Sequence, residues 1–429
     1  MPENRELLQS FIKKVKTEIK SKEAQALVEQ ELLGHIEEQN DSLKRKGHTE
    51  EEACKLAIEQ MGNPIMLGQE MNQLHRPRVD WSLFFLFTAI IVMSLIPMYT
   101  LSTVIEGLFE RKMVFNVIGI VIVLSVMLFD YRKLERLGVF LYGSTTLLLI
   151  YIFFYGAVVA GKKFLVIGNF SLDITFTLFL LYVAWSSLLQ QLQFKRMFML
   201  TILFLAPIGL YIINGYYIFS IMYFIAVLVM LNVNGRNNLV HKKFIWLSMI
   251  GAFILSNIYW VIAPPHQKER FVAFLNPEQY RDTWGYVTSI TKEMIAGAGW
   301  FGQGNVYEQV RRLPEAHTDL IFPYIIYVFG WGGGILLTFL LGLLVFRIVK
   351  VSCKTKHSFG KNIVIGGGIL LAFPILVNTL MSLGFLPVVS IHLPFMSYGG
   401  THLLSNSIIV GLILSVYRRK DLIMETKNY

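Results

Sequence analysis

Residues 311–322 read RRLPEAHTDLIF, and they gather Arg311, Arg312, Glu315, His317, Thr318 and Asp319 into one short stretch. Carboxylates and imidazoles are the side chains that move protons, and guanidinium groups stabilise anions. An apolar run, LIFPYIIYVFGWGGGILLTFLLGLLVF, overlaps the end of this cluster. Charged groups beside hydrocarbon are costly and mark positions with a purpose. A second stretch, residues 378–404, reads NTLMSLGFLPVVSIHLPFMSYGGTHLL. Its centre, LPFMSYGG, is non-helical in character: Pro394 interrupts a helix, and Gly399 and Gly400 allow backbones to approach closely. Irregular backbone at membrane depth persists only where protein or a wet cavity covers it.

The elements that must position these residues are set by composition. The chain of 429 residues is 54% hydrophobic and only 16% charged, with a mean hydropathy of +0.53. Soluble domains carry about 25% charged residues, so this is an integral membrane protein with an all-α, polytopic fold. The net charge of +10 does not point to nucleic acid, because the basic residues sit in short loops between apolar runs, where they act as topology signals. Two cysteines, Cys54 and Cys353, both on the side read as cytoplasmic, offer neither a disulfide framework nor a zinc site.

Residues 1–78 are polar and helical in pattern, which predicts a small cytoplasmic helical domain and no cleavable signal peptide. Thr49 and Glu52 have capping-box spacing, and Gly62 and Pro64 close the helix that follows. Residues 79–429 form the membrane domain. Ten apolar spans are expected, at 81–104, 113–130, 137–157, 173–190, 196–213, 216–233, 243–263, 319–346, 362–385 and 401–417. Most approach the roughly 20 residues that cross a bilayer. Alternate loops carry Arg132, Lys133 and Arg136; Lys195 and Arg196; Arg236, Lys242 and Lys243; Arg347 to Lys361; and Arg418 to Lys420. The opposite loops hold only Arg111 and Lys112, then Lys162 and Lys163, in their short members. Both termini are therefore expected in the cytoplasm, and the long loop 264–318 outside.

RRLPEAHTDLIF followed by NTLMSLGFLPVVSIHLPFMSYGGTHLL resembles the SEDS family, of the RodA, FtsW and SpoVE type. GAGWFGQG (297–304) is similar to the glycine-rich stretch that family places upstream. The resemblance covers about 81–420. It implies a peptidoglycan glycosyltransferase of the bacterial cytoplasmic membrane that polymerises lipid II at the outer face, in elongation, division or sporulation, beside a class B penicillin-binding protein. By motif position it implies Asp319 as the catalytic carboxylate, acting as general base on the acceptor sugar hydroxyl. Arg311, Arg312, Lys162, Lys163 or a divalent cation (Mg or Mn) would steady the diphosphate. His317 would orient the acceptor or the loop, Glu315 counts among the substrate-binding residues, and Ser397, Tyr398, Gly399 and Gly400 would contact the lipid-linked sugar. The 1–78 segment is similar to short helical prefixes before some bacterial permeases and regulators, and an interaction or regulatory role is expected of it.

Each assignment has a plain alternative. Asp319 at the start of a span could cap it, His317 could be a structural hydrogen-bonding residue, Glu315 a solvated loop group or metal ligand, and SYGG tight helix–loop packing. The chain also departs from the family pattern. An Arg-Trp pair becomes Lys163-Phe164, a glutamate becomes Phe176, a Pro-Asp-x-Gly becomes INGYY, and a Glu-Glu becomes Tyr327-Val328. Those losses favour a second function, a non-catalytic scaffold for a penicillin-binding protein, which the intact PEAHTD opposes; a third, a flippase for lipid-linked precursors, would want polar groups through the whole membrane depth, whereas the motifs here cluster at one face.

Overall fold

The structure is a computed structural model and describes residues 2–159, 162–167, 170–172, 174–191, 197–233, 239–262, 265–304 and 311–422. Gly168, Lys195, Arg196 and Arg236, and the side chain of Lys162, lie outside the described residues. Contacts divide the chain into two compact units: residues 1–80 with 417–429, and residues 81–416.

The first unit is built on four helices: α1 (Pro2–Glu18), α2 (Lys22–Arg45), α3 (Glu50–Gln60) and α4 (Pro64–Leu74). Ser21 caps α2, Asn63 caps α4 ahead of Pro64, and both arms of the Thr49–Glu52 capping box are formed. Apolar residues at helical spacing, Phe11 and Val15 on α1, Ile19 just past its end, and Val28, Leu32 and Ile36 on α2, make the core. The tail enters that core. Leu422 is buried in it, Arg419 is 1% exposed with two 2.9 Å bonds to the Glu23 carboxylate, and His75 Nδ1 lies 3.0 Å from the Asp421 carbonyl oxygen. From sequence, Arg418 to Lys420 count only as topology signals. The structure gives Arg419 a bidentate carboxylate partner, which is a packing role as well.

The second unit contains α5 (Trp81–Met93), α6 (Leu95–Leu101), α7 (Leu108–Leu128), a 3-10 turn (Tyr131–Leu137), α8 (Gly138–Tyr155), α9 (Thr175–Gln191), α10 (Met197–Ile213), α11 (Tyr217–Val233) and α12 (Leu239–Ile262). It continues with α13 (Pro265–Leu275), α14 (Tyr286–Gly297), α15 (Ile321–Lys354), α16 (Ser358–Ser382) and α17 (Gly400–Arg418). Among the described residues seven helical stretches are long and apolar enough to cross a membrane, and three shorter apolar helices stand at the expected fourth, fifth and sixth spans. The 21 residues of α7 reach about 32 Å, close to the thickness of a hydrocarbon core. Large apolar side chains such as Phe85, Phe140, Phe154, Phe253 and Phe339 face outward, as lipid-facing positions do. More than half of α16 and of α17 is enclosed, against 11% of Lys242–Val261, so the two helices that flank LPFMSYGG are among the most enclosed of the unit.

Between α8 and α9 lies a small antiparallel sheet of β1 (Ala157–Val159), β2 (Lys162–Ile167) and β3 (Phe170–Leu172), in the order β1-β2-β3. It is an addition to the helical fold expected from sequence. The short basic segment Lys162-Lys163 lies at its centre strand.

The expected span 319–346 is not one continuous helix. Gly330 stands at φ 77°, ψ 176° and breaks α15 into a buried first part and a long second part. The GAGWFGQG stretch docks on the break. Gln303 N donates to Tyr327 O at 2.9 Å and Gly304 N to Val328 O at 3.2 Å, while Trp331 N and Gly332 N donate to Gly299 O and Trp300 O at 3.0 and 3.2 Å. These bonds satisfy the groups that the broken helix leaves open. A Cβ on Gly302 would sit 2.2 Å from Val328 O, and one on Gly330 2.1 Å from Trp300 O. Two left-handed glycines in backbone contact make the crossing possible.

Candidate active site

The site is built by tying the turn before α15 to the loop before α17. Glu315 adopts φ 52°, and its carbonyl accepts from Thr318 N and Leu320 N at 3.0 and 3.1 Å. The Thr318 hydroxyl donates to the Glu315 carboxylate. This folds PEAHTD into a tight turn. Three bonds then fasten it to the second motif, and two more brace that motif internally. Tyr398 N donates to His317 O at 2.7 Å. Ser397 Oγ donates to Thr318 O at 2.7 Å and accepts from Leu393 N at 2.8 Å. Asn378 Nδ2, on α16, donates to both Asp319 O and Ile391 O at 2.8 Å. Ser397 Oγ and Asn378 Nδ2 are thus construction groups, spent on backbone.

A third element holds the loop from behind. Lys112, one turn into α7, is 1% exposed and donates to Phe395 O and Ser397 O at 2.8 Å and to Met396 O at 3.4 Å. Phe395 has φ 67°, an outlier for a bulky side chain that surrounding structure must sustain. Lys112 reads from sequence as an outer-loop charge ahead of a span starting at 113. The helix instead begins at Leu108, which carries the ammonium inside. The available signal was Asn116 one turn later on the same buried face, where it bonds Ile91 O at 2.9 Å.

Asp319 emerges from this frame with its side chain 13% exposed, on the wall of an open groove of about 570 Å³. Glu315, His392, Arg270, Trp284 and Phe164 line the same groove. The cap position of α15 belongs to Leu320, which makes no side-chain cap bond, so Asp319 stands one residue ahead of the cap position. His392 Nδ1 is 3.4 Å from Asp319 Oδ1, and the His392 ring stacks on His402 with centroids 3.9 Å apart and planes 22° apart. Sequence reasoning missed both histidines. The signal was their placement on either side of LPFMSYGG.

Other expected residues take different positions. His317 is half-buried beside Tyr398, ring centroids 5.9 Å apart. Burial pulls its imidazole below the ordinary value, against the opposing pull of Glu315 and Asp319, which favours the neutral, hydrogen-bonding form at pH 7. Gly399 lies against His392 and His402, and a Cβ on Gly400 would be 2.9 Å from the Phe115 ring, so Gly400 packs. Arg312 lies 3.9 Å from Glu293, which Arg281 approaches at 3.3 Å; neither Arg311 nor Arg312 lines the groove. Lys163 donates to Phe153 O and sits 4.2 Å over the Phe153 ring, which directs it toward the end of α8. The cation on the groove wall is Arg270, 5.4 Å over Trp284. Where the resemblance expects carboxylates, Phe176 packs on Phe179 at 5.9 Å, and Tyr327 and Val328 are buried.

The sequence model described as "Cell cycle protein", FtsW/RodA/SpoVE, matches residues 77–422. The chain belongs to the FtsW/RodA/SpoVE family. The family match takes in the whole membrane unit and leaves α1–α4 ahead of it. Relatives include a "Probable peptidoglycan glycosyltransferase FtsW" of Thioalkalivibrio sp. (strain K90mix), 34% identical over 163 residues, covering 37% of this chain and 41% of that one. Another, of the same name, from Saccharophagus degradans, is 35% identical over 183 residues, covering 41% and 46%. The chain thus spans less than half the length of these two relatives. A solved structure on the structural coordination of polymerization and crosslinking by a peptidoglycan synthase complex matches with a TM-score of 0.66 and 25% identity, over 80% of this chain and 98% of that one. The Thermus thermophilus rod shape determining protein RodA shares the fold, with a TM-score of 0.58 and 22% identity over 80% and 97% of the two chains. The FtsW/RodA/SpoVE fold is thus present as a multi-pass helical membrane protein.

Proposed function

We propose that this chain is a peptidoglycan glycosyltransferase that polymerises lipid II. The observation that carries the reading is Asp319, a nearly buried carboxylate on a groove at the head of a membrane helix. In the reaction the acceptor sugar hydroxyl attacks the anomeric carbon of the lipid-linked donor. The C–O bond forms as the bond to the diphosphate breaks, and the lipid diphosphate leaves with the electron pair. Asp319 takes the hydroxyl proton as general base. Arg270 on the groove wall is suited to the diphosphate charge. Among the described residues no group of three His, Cys, Asp or Glu side chains is gathered as a metal cage. A Mg or Mn ion would then arrive with the diphosphate and take much of its coordination from phosphate and water. The names of the relatives support the activity, and the synthase-complex match supports a cross-linking, class B penicillin-binding partner. The test is glycan formation from lipid II by the purified full-length chain, with and without such a partner. Product that requires Asp319 is expected. Absence of product under both conditions would transfer the case to the scaffold function, which the apolar Phe176 and Val328 favour.

The groove faces outward in this reading, in the cytoplasmic membrane of a bacterium, with both termini inside. The loops that carry the basic clusters meet one another: Tyr131 stacks on Phe359 at 6.0 Å, and Gln190 Nε2 bonds Ser358 Oγ at 2.7 Å. The positive-inside bias then assigns that side to the cytoplasm. Cys353 is exposed on that side, and Gln279 is exposed in the long loop. With Cys54 replaced, an impermeant thiol reagent on intact cells should label Gln279→Cys in a chain that also lacks Cys353, and spare a chain with Cys353 alone. The reverse pattern would invert the topology.

A further inference from the structure

The turn between α1 and α2 and the chain just past α4 border an open pocket of about 490 Å³. Its eight lining residues all belong to the first unit. Four of them are cations: Lys20, Lys22, Arg76 and Arg418. Lys20 N donates to Asn72 Oδ1 at 3.1 Å, which ties the turn that carries both lysines to the end of α4, close in the chain to Arg76. Among the described lining residues the one carboxylate is Glu23. Arg419, 1% exposed, already holds both of its oxygens at 2.9 Å. The pocket therefore keeps an excess of four positive charges, which repel one another unless an anion joins them. The core of the unit, built on Val15, Val28 and Leu32, does not use these groups, and Lys20, Lys22 and Arg76 are exposed. Chain connection also fixes their level. Arg418 is the last residue of α17, a membrane span, and Arg76 stands five residues ahead of Trp81, the first residue of α5. Five residues reach at most about 18 Å. Trp81 is 55% exposed, as an aromatic at the membrane interface is. Both arginines are thus tied to span ends, where lipid headgroups lie.

We propose that this pocket binds a phosphate group, and that the phosphate is carried by an anionic lipid headgroup. Guanidinium and ammonium groups suit phosphate oxygens. A lipid brings its phosphate to the level of the span ends, where Arg418 stands; a soluble phosphate compound offers the same group without that placement. The topology argued above puts this side in the cytoplasm, where the leaflet carries anionic lipid and each basic residue near the surface adds to the attraction. The pocket lies apart in residues from the Asp319 groove, so the site stands whether or not the chain polymerises lipid II.

The experiment uses the purified, delipidated full-length chain in a neutral detergent, so its outcome does not depend on orientation. Dioctanoyl phosphatidylglycerol, dioctanoyl phosphatidylcholine and glycerol phosphate are titrated in turn, with binding read by calorimetry and by melting temperature. Phosphatidylglycerol should bind and raise the melting temperature. The zwitterionic lipid and the free phosphate should each bind at least about tenfold more weakly, for want of net charge in the one and of a membrane anchor in the other. Lys20→Gln, Lys22→Gln and Arg76→Gln combined should weaken phosphatidylglycerol binding about a hundredfold, at about fivefold for each cation lost. Arg418 is left in place because it ends a span. Lys13→Gln, Lys14→Gln and Lys46→Gln combined remove the same charge from exposed positions of the same unit outside the pocket, and should leave binding within about twofold of wild type. Equal losses in the two triple variants, or no loss in the pocket variant, would overturn the site. Phosphatidylcholine or glycerol phosphate binding as tightly as phosphatidylglycerol would overturn the anionic headgroup, and that comparison needs no variant to fold. Without lipid, the pocket variant should melt at or above the wild-type temperature, because like charges have been removed. Melting several degrees lower would make the cations structural and overturn the proposal as well.

Discussion

Asp319→Asn should lower the rate of glycan synthesis by about a hundred- to ten-thousand-fold, the usual worth of a general base. The fold should hardly notice. The bond from Asn378 goes to the Asp319 backbone carbonyl, which the substitution leaves in place. Melting temperature and partner binding should therefore stay near wild type. Asp319→Ala should be equally inactive and only slightly less stable, because the cap position of α15 is Leu320 and a partly exposed pair with His392 is worth at most about 1 kcal/mol. Polymerisation of lipid II and a melting curve on each variant check this. An asparagine variant that polymerises at the wild-type rate would remove Asp319 from the chemistry and leave it a structural role.

Lys112→Met should be the most damaging substitution far from the groove surface. Methionine keeps the length and apolar body of the side chain and removes only the ammonium. Three backbone carbonyls, of Phe395, Met396 and Ser397, then lose a donor in a buried place. Each buried acceptor left without a partner costs about 1–3 kcal/mol, and the left-handed Phe395 carries about 1–3 kcal/mol of strain that the clamp offsets. The loop should relax and release Ser397 and Tyr398 from Thr318 and His317, so that Asp319 loses its setting. A fall of several degrees in melting temperature, protease sensitivity between Leu386 and Gly399, and at least about a tenfold loss of polymerisation are expected together. Wild-type stability and rate in Lys112→Met would show that the loop is held by packing alone.

The membrane architecture was legible in the sequence because its cause is local. A helix that crosses hydrocarbon needs about 20 apolar residues wherever it lies in the fold, and all its backbone bonds stay within the segment. Runs such as 81–104 and 362–385 therefore declare themselves one at a time. The capping box at Thr49 and Glu52 is equally local, three residues from donor to acceptor, and the polar cluster ending in Asp319 stood out because charge beside an apolar run is rare. What the sequence determined by itself was thus which segments are helical, which of them meet lipid, and where the costly charges are. Only the tertiary structure decided what those charges face. Lys112 meets carbonyls 283 to 285 positions away, Arg419 meets Glu23 across 396, and Asn378 on α16 meets the Asp319 carbonyl across 59. The break at Gly330 depends on a glycine stretch from another segment filling it. His392 reads as one polar residue in a loop until the fold carries it to Asp319. Such pairings have no period and no fixed spacing. They follow from which helix ends the packing of α7, α15, α16 and α17 brings together, and a chain read in order contains no local signal of that.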